Sequence, residues 1–208
     1  MALNINGTTG ISGVDGSVSA PAVTGTDSNT GMTFPSADTI KFSTGGVERM
    51  SITNSGVSAS GHIIQVVQQP KLDTASTSSD TFATLITKDI TRSSGSNKVL
   101  VSFHVMVSSP GSSVPVIAFN LQRGSTNIAQ PAVTTTTPAT RSEYIFANSV
   151  NPISFEFLDD GAASEGSLTL TYNLQWRRIG TGTAYLGRYW GSANYNAPSY
   201  MILKEVAA

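Results

Sequence analysis

Between Thr183 and Tyr200 the chain reads TAYLGRYWGSANYNAPSY. Tyr and Trp give large contact area for little lost side-chain entropy, which is why they are enriched at recognition surfaces. Tyr185, Tyr189, Trp190 and Tyr195, with the donors of Arg188 and Asn194, form a candidate ligand-binding set that could offer flat apolar faces and hydrogen bonds to a surface glycan. Tyr200 closes the same stretch. The same rings would equally cover a subunit interface or cap a core, and residue types alone leave both readings open.

Catalytic chemistry finds less support. Asp159 and Asp160 stand together in FLDDGAASEG, with Glu165 close behind. Glycoside hydrolysis needs two carboxyl groups held about 5–9.5 Å apart across a sugar. Adjacent aspartates beside glycine read instead as a solvated turn, because both residue types favour turns. His62 and His104 have no neighbour at metal-ligand spacing, and a satisfied core or interface histidine is the expectation for His104. No glycine-rich phosphate loop and no GxSxG nucleophile motif is present. No catalytic residue, metal or cofactor is therefore expected, and the chain is read as a non-enzyme.

Composition narrows the partners. Twelve Lys and Arg stand against thirteen Asp and Glu, a net charge of −1, so no basic surface is expected for nucleic acid. The chain has no cysteine, which removes disulfides and thiolate chemistry together. No apolar run approaches the ~20 residues of a membrane span, and MALNINGTTG has neither a basic head nor an apolar stretch for a secretory signal. Neither nucleic-acid binding nor membrane insertion is expected.

The elements that must hold these residues are strands. Ser, Thr and Gly are abundant and strong helix formers sparse, which disfavours helix interiors. In NKVLVSFHVMVSS, Val99, Val101, Phe103, Val105 and Val107 share one face by the two-residue period. In SLTLTYNLQWRR, Leu168, Leu170, Tyr172, Leu174 and Trp176 alternate with polar residues. DTFATLITKDI fits helix or strand spacing and leans to strand by its Thr and Ile content. About nine strands with Gly, Pro, Ser and Asn turns predict a jelly-roll-like β-sandwich over residues 62–208. The exposed loop TTTTPAT, residues 134–140, is a further place for specificity.

Residues 1–61 differ. Apolar side chains are thin there, yet DTIKFSTGGVERMSI has the grammar of strand, turn and strand around Gly45-Gly46. An isolated hairpin is marginal in water, and ordering about sixty residues at ~1–2 kcal/mol of backbone entropy each needs more burial than this segment contains. A flexible linker is one outcome. A homotrimer, in which three hairpins pool their apolar faces on one axis, is the other.

The segment from GTDSNTG (Gly25–Gly31) through FPSADTIKFSTGGVER (Phe34–Arg49) resembles tail-fibre and related appendage proteins of tailed bacteriophages, and MILKEVAA is similar to the end of many fibre tips. The resemblance implies an all-β homotrimer located on the virion. A thin N-terminal hairpin or extended attachment segment would contact other virion proteins, and a jelly-roll tip would meet a host-surface glycan or protein. Adsorption as a tail fibre is the function implied. A head fibre or a capsid or tail decoration protein with a purely structural role is the alternative.

Overall fold

The computed structural model describes residues 4–6, 10–12, 15–54, 56–110, 116–130, 139–144 and 149–208. TTTTPAT lies outside them except for its last two residues. The chain forms two compact units, Met1–Ile64 with Val206–Ala208, and Gln65–Glu205.

In the first unit, β1 (Asn4–Asn6) pairs with β2 (Gly10–Ser12), and β3 (Gly16–Ser17) with β4 (Ala20–Pro21). An antiparallel meander follows: β5 (Val23–Thr24), β6 (Gly31–Thr33), β7 (Ile40–Thr44), β8 (Val47–Thr53) and β9 (Gly56–Ser58). The expected hairpin is its β7–β8 pair, one part of a five-stranded sheet. Gly45 and Gly46, at φ 60° and 74°, form the two-residue turn between paired Thr44 and Val47. Both central positions need the left-handed region, which glycine enters freely.

GTDSNTG clamps onto that turn. Thr24 Oγ1 donates to the Asp27 carbonyl at 2.5 Å and Thr30 Oγ1 to Asp27 Oδ2 at 2.6 Å. The Gly45 and Gly46 amides donate to Thr30 Oγ1 at 3.2 Å and to the Asn29 carbonyl at 2.9 Å. The Thr30 hydroxyl, with the Asn29 amide, holds the Asp27 carboxyl below its ordinary range. The residues that carry the resemblance thus also carry the turn geometry.

The two faces of the meander differ. Thr33 and Ser43 are buried on one, where a Cβ on Gly31 would come 2.9 Å from that of Pro21. On the other, Val23, Met32, Phe42 and Met50 lie in one cross-strand row, and Ile40, Ile52 and Val57 in the next. None of these seven is buried.

The sandwich runs through β10 (Ile63–Lys71), β11 (Ala75–Thr77), β12 (Ala83–Thr91), β13 (Lys98–Ser108), β14 (Val116–Arg123), β15 (Thr126–Ile128) and β16 (Arg141–Tyr144). It continues with β17 (Val150–Asp159), a 3-10 turn at Asp160–Ser164, β18 (Thr169–Ile179), β19 (Ala184–Leu186), β20 (Arg188–Tyr189), β21 (Ser192–Asn196) and β22 (Ser199–Val206). Sheet I is ordered β10-β22-β13-β19-β11, with β17 also on β13. Sheet II is ordered β12-β18-β14-β15, with β16 also on β14. Successive long strands alternate between the sheets: β12 in II, β13 in I, β14 in II, β17 in I, β18 in II, β22 in I. That alternation makes it a jelly-roll-like sandwich. The chain is all-β, as its composition predicts, and DTFATLITKDI is strand β12.

The core lies between the sheets. Val99, Val101, Phe103, Val105 and Val107 are all buried, and so are Leu170, Tyr172, Leu174 and Trp176. Leu168 precedes its strand and remains exposed. The Phe103 ring of sheet I lies 5.8 Å from Phe119 of sheet II and 5.8 Å from Phe155. Among the described residues, every large buried apolar side chain falls at Leu85 or later. Truncating Phe103→Ala should therefore lower stability by ~3–5 kcal/mol, read as a shift of the denaturant midpoint of the purified chain.

Candidate binding surface

β19 places the first part of the aromatic stretch. Ala184 and Leu186 point into the core, which leaves Tyr185 on the outer side of sheet I. Gly187, at φ 68°, turns the chain within 3.4 Å of the Asp73 carbonyl, measured from where a Cβ would sit, and the β20–β21 hairpin follows. The Ser108 hydroxyl donates to the Arg188 carbonyl at 2.7 Å and fixes the start of that hairpin. The Arg188 guanidinium lies 4.5 Å over the Tyr185 ring. Tyr189 and Trp190 pack with centroids 5.9 Å apart and planes tilted by 46°.

Four of the six candidates thus form two half-exposed pairs, Tyr185 with Arg188 and Tyr189 with Trp190. Such an arrangement gives a stacking surface and a charged donor, with a cation–π contact holding the donor in place. Asn194 and Tyr195 belong to strand β21, and their side chains lie outside those described. Tyr200 belongs to another group: its ring stacks on His104 at 5.3 Å and 24°.

That second group occupies the outer face of sheet I. His104 Nδ1 and Ser154 Oγ share a hydrogen bond of 2.7 Å. Ser102, His104, Ser154, Glu156, Tyr200 and Ile202 line a shallow hollow of about 360 Å³. His104 is satisfied, as expected, but on the surface of the sheet rather than in the core.

Asp159 departs from the solvated turn expected of it. Its side chain is buried, facing inward at the end of β17. Both oxygens accept from Arg123 Nη1, at 2.5 and 2.6 Å, and the Tyr172 hydroxyl donates to Oδ2 at 2.7 Å. Arg123 Nε also donates to Glu165 at 2.9 Å. Burial first, then the bond to Asp159, push the Tyr172 phenol well above its ordinary value. Burial pulls the Arg123 guanidinium down, but its bonds to Asp159 and Glu165 outweigh that and leave it raised. Asp159 thus ties the two sheets together. Asp160 remains exposed and opens the 3-10 turn.

A second buried network escapes sequence reasoning. Glu205 is fully buried, with Oε1 accepting from the Ser93 amide at 2.7 Å, the Ser93 hydroxyl at 2.8 Å and Asn97 Nδ2 at 2.6 Å. Oε2 accepts from Gln65 Nε2 at 2.6 Å. Arg92, also buried, donates to the carbonyls of Gly95, Asn97 and Ser167 at 2.7–2.8 Å. Asn97 therefore links a buried cation to a buried carboxylate. The available signal is parity: Met201, Leu203 and Glu205 alternate on one inward face of β22.

No family model and no curated protein matches the chain. Among solved structures it is similar to a Bacillus endospore appendage of disulfide-linked pili, at 12% identity and TM-score 0.34, over 73% of this chain and 96% of that one. It is also similar to the infectious bursal disease virus Gt strain, at 12% identity and TM-score 0.42, and to the T13 particle of that virus, at 10% and 0.40. The match covers 94% of this chain but spans only 56% and 53% of those viral chains. No family follows from scores of this size.

Burial pushes the Glu205 carboxyl up, but the bonds from Asn97, Gln65 and Ser93 prevail and hold it below its ordinary value of 4.5. A depressed carboxylate stabilises the fold above its unfolded pKa, and that contribution fades as pH falls through the folded one. Stability should accordingly drop below about pH 4.5. Glu205→Gln should lose ~2–3 kcal/mol at pH 7 and show a flatter acid limb in a series of thermal melts.

Proposed function

We propose that this chain is a non-enzymatic fibre protein of a bacteriophage virion, which assembles as a homotrimer and adsorbs to the host cell surface. The observation that carries the proposal is the bare face of the meander. Seven apolar side chains, none of them fully buried, stand in two cross-strand rows on that face, with one charge, Arg49, bonded to Thr44 at its end. A five-stranded sheet with one open side offsets little of its ordering entropy. Copies sharing an axis supply the missing cover. The resemblance of Gly25–Arg49 to phage appendage proteins supports the virion setting.

Two further features favour binding over catalysis. Asp159 is bound by an arginine and a tyrosine inside the fold, a structural task for a carboxylate. Tyr185, Arg188, Tyr189 and Trp190 offer half-exposed rings and one cation, groups suited to stacking on sugar rings. Repeating such a weak site three times raises overall affinity 10²–10⁴-fold when all sites engage together. The N-terminal unit is the region proposed to contact other virion proteins.

The purified chain should show a native mass three times its 21.7 kDa, and fluorescent protein should bind host cells saturably. Trp190→Ala should reduce that binding at least tenfold at unchanged mass. A folded monomer at micromolar concentration would refute the trimer. Wild-type protein that decorates virion heads and does not compete with infection would refute adsorption and leave a passive head fibre or decoration protein.

A further inference from the structure

An arginine carries five N–H donors in a planar fork, and a folded chain finds acceptors for most of them. Arg49 donates to Thr44, Arg92 to three carbonyls, and Arg123 to Asp159 and Glu165. Arg177 donates to the Asp80 carbonyl and Arg178 to the Ser78 carbonyl. Arg188 is different. Among the described residues its guanidinium has no acceptor, and it rests on the face of Tyr185, 4.5 Å from the ring centroid. The residue is half-exposed.

The surroundings hold this cation without neutralising it. Tyr185 lies in register between Ser76 of β11 and Ser108 of β13. Neither β11 nor the two β13 residues that pair with β19 carry a charge. Asp73, whose carbonyl flanks Gly187, directs its carboxylate to Lys71 at 2.8 Å. From Gly166 to Lys204 the sequence has no Asp or Glu, whereas Arg177, Arg178, Arg188 and Lys204 all fall there. Such a cation attracts an anion that the chain does not itself provide. The exposed Ser76 hydroxyl, on the same face as Tyr185, also has no partner among the described residues.

We infer that Tyr185 and Arg188 form an oxyanion-binding site, and that the surface glycan this chain takes is acidic, bearing carboxylate or phosphate groups. The inference rests on the adsorption reading and deepens it by naming the chemistry of the ligand. A guanidinium presents a planar fork that meets two oxygens of a carboxylate or phosphate at once. The ring face supplies no lone pair, so the donors of Arg188 stay available for that task. Tyr185 also holds the fork before the ligand arrives, and less side-chain freedom is then lost on binding. The Ser108 bond to the Arg188 carbonyl fixes the backbone beneath it. A neutral sugar would gain the stacking alone and leave the charge unmatched. The Ser76 hydroxyl is placed to serve a neighbouring sugar hydroxyl.

The test compares binding of the full-length chain to polygalacturonate, to poly(glycerol phosphate) and to neutral dextran. Wild type should bind one of the acidic polymers about 10–100-fold more tightly than dextran, and the stronger of the two tells carboxylate from phosphate. Arg188→Ala should lose that margin at unchanged native mass and far-UV circular dichroism. Tyr185→Leu should weaken acidic binding about 3–10-fold, whereas Tyr185→Phe, which keeps the ring, should not. Lys204→Ala should leave it unchanged, which separates a built site from diffuse attraction. No preference for either acidic polymer over dextran would overturn the inference, and so would Arg188→Ala binding like wild type. Saturable host-cell binding that Arg188→Ala leaves intact would overturn this site and leave adsorption standing. A wild-type chain that binds no host cell would remove both readings.

Discussion

A sheet one layer deep has two faces, and the short strands β3 and β4 have enough chain to cover only one of the meander's. They take the side of Gly31, Thr33 and Ser43, where the side chains are small or absent and the backbones approach closely. The seven larger apolar residues are left on the other side. Sequence order drives this outcome: in β7 the even positions hold Ile40 and Phe42, and in β8 they hold Met50 and Ile52. A one-residue slip of β8 on β7 would send Met50 and Ile52 to the opposite face. The Gly45-Gly46 turn and the Asp27 clamp prevent that slip by fixing which residues pair. The bare face is thus enforced by the turn chemistry rather than left over from loose packing.

The sandwich meets the same constraint on a larger scale. Two sheets bury each other's inner faces, and both outer faces remain to be resolved. Sheet II resolves its face internally, with threonine, asparagine and glutamine bonded across the strands. Sheet I mixes Leu100, Met106 and Leu158 with Ser102, His104, Ser154 and Glu156 there. A chain with few charged residues has little other means of keeping a surface wet. Where it does place charges, it spends several of them inside, at Arg92, Glu205 and Asp159, which leaves fewer to mark the outside.

Much of this was legible in the sequence because strands have a short period. The alternation in β13 and β18 can be counted directly, and it places the core residues of those two strands, Leu168 excepted because it sits ahead of the ladder. The hairpin at Gly45-Gly46 is legible from two adjacent glycines between alternating strands. What local pattern does not convey is pairing across distance. Asp159 reads as a turn residue because Asp and Gly surround it. Its partner Arg123 lies 36 positions away on the other sheet, and only the antiparallel match of β14 with β18 brings Arg123 and Tyr172 side by side. Glu205 likewise draws its donors from Ser93 and Gln65, more than a hundred positions upstream. For the aromatic stretch the types were informative and the grouping was not, since Tyr200 faces His104 across strands rather than its neighbours in sequence.

The two buried networks also bear on how a cysteine-free chain keeps a single arrangement. A disulfide would join the sheets irrespective of surroundings, whereas Arg123, Asp159 and Tyr172 do so only if every donor finds its acceptor. Removing one partner strands a charge in the interior, at ~3–5 kcal/mol for a buried pair. Misregistered pairings of β14, β17 and β18 would strand the same charges, so the network discriminates against them even if its net contribution to stability is small. Glu205 does the same for the ends of the chain's main sheet, because β10 and β22 must lie in one register for Gln65 to reach it. Hydrophobic alternation specifies which face of each strand turns inward, and these few buried ions specify how far along its neighbour each strand sits.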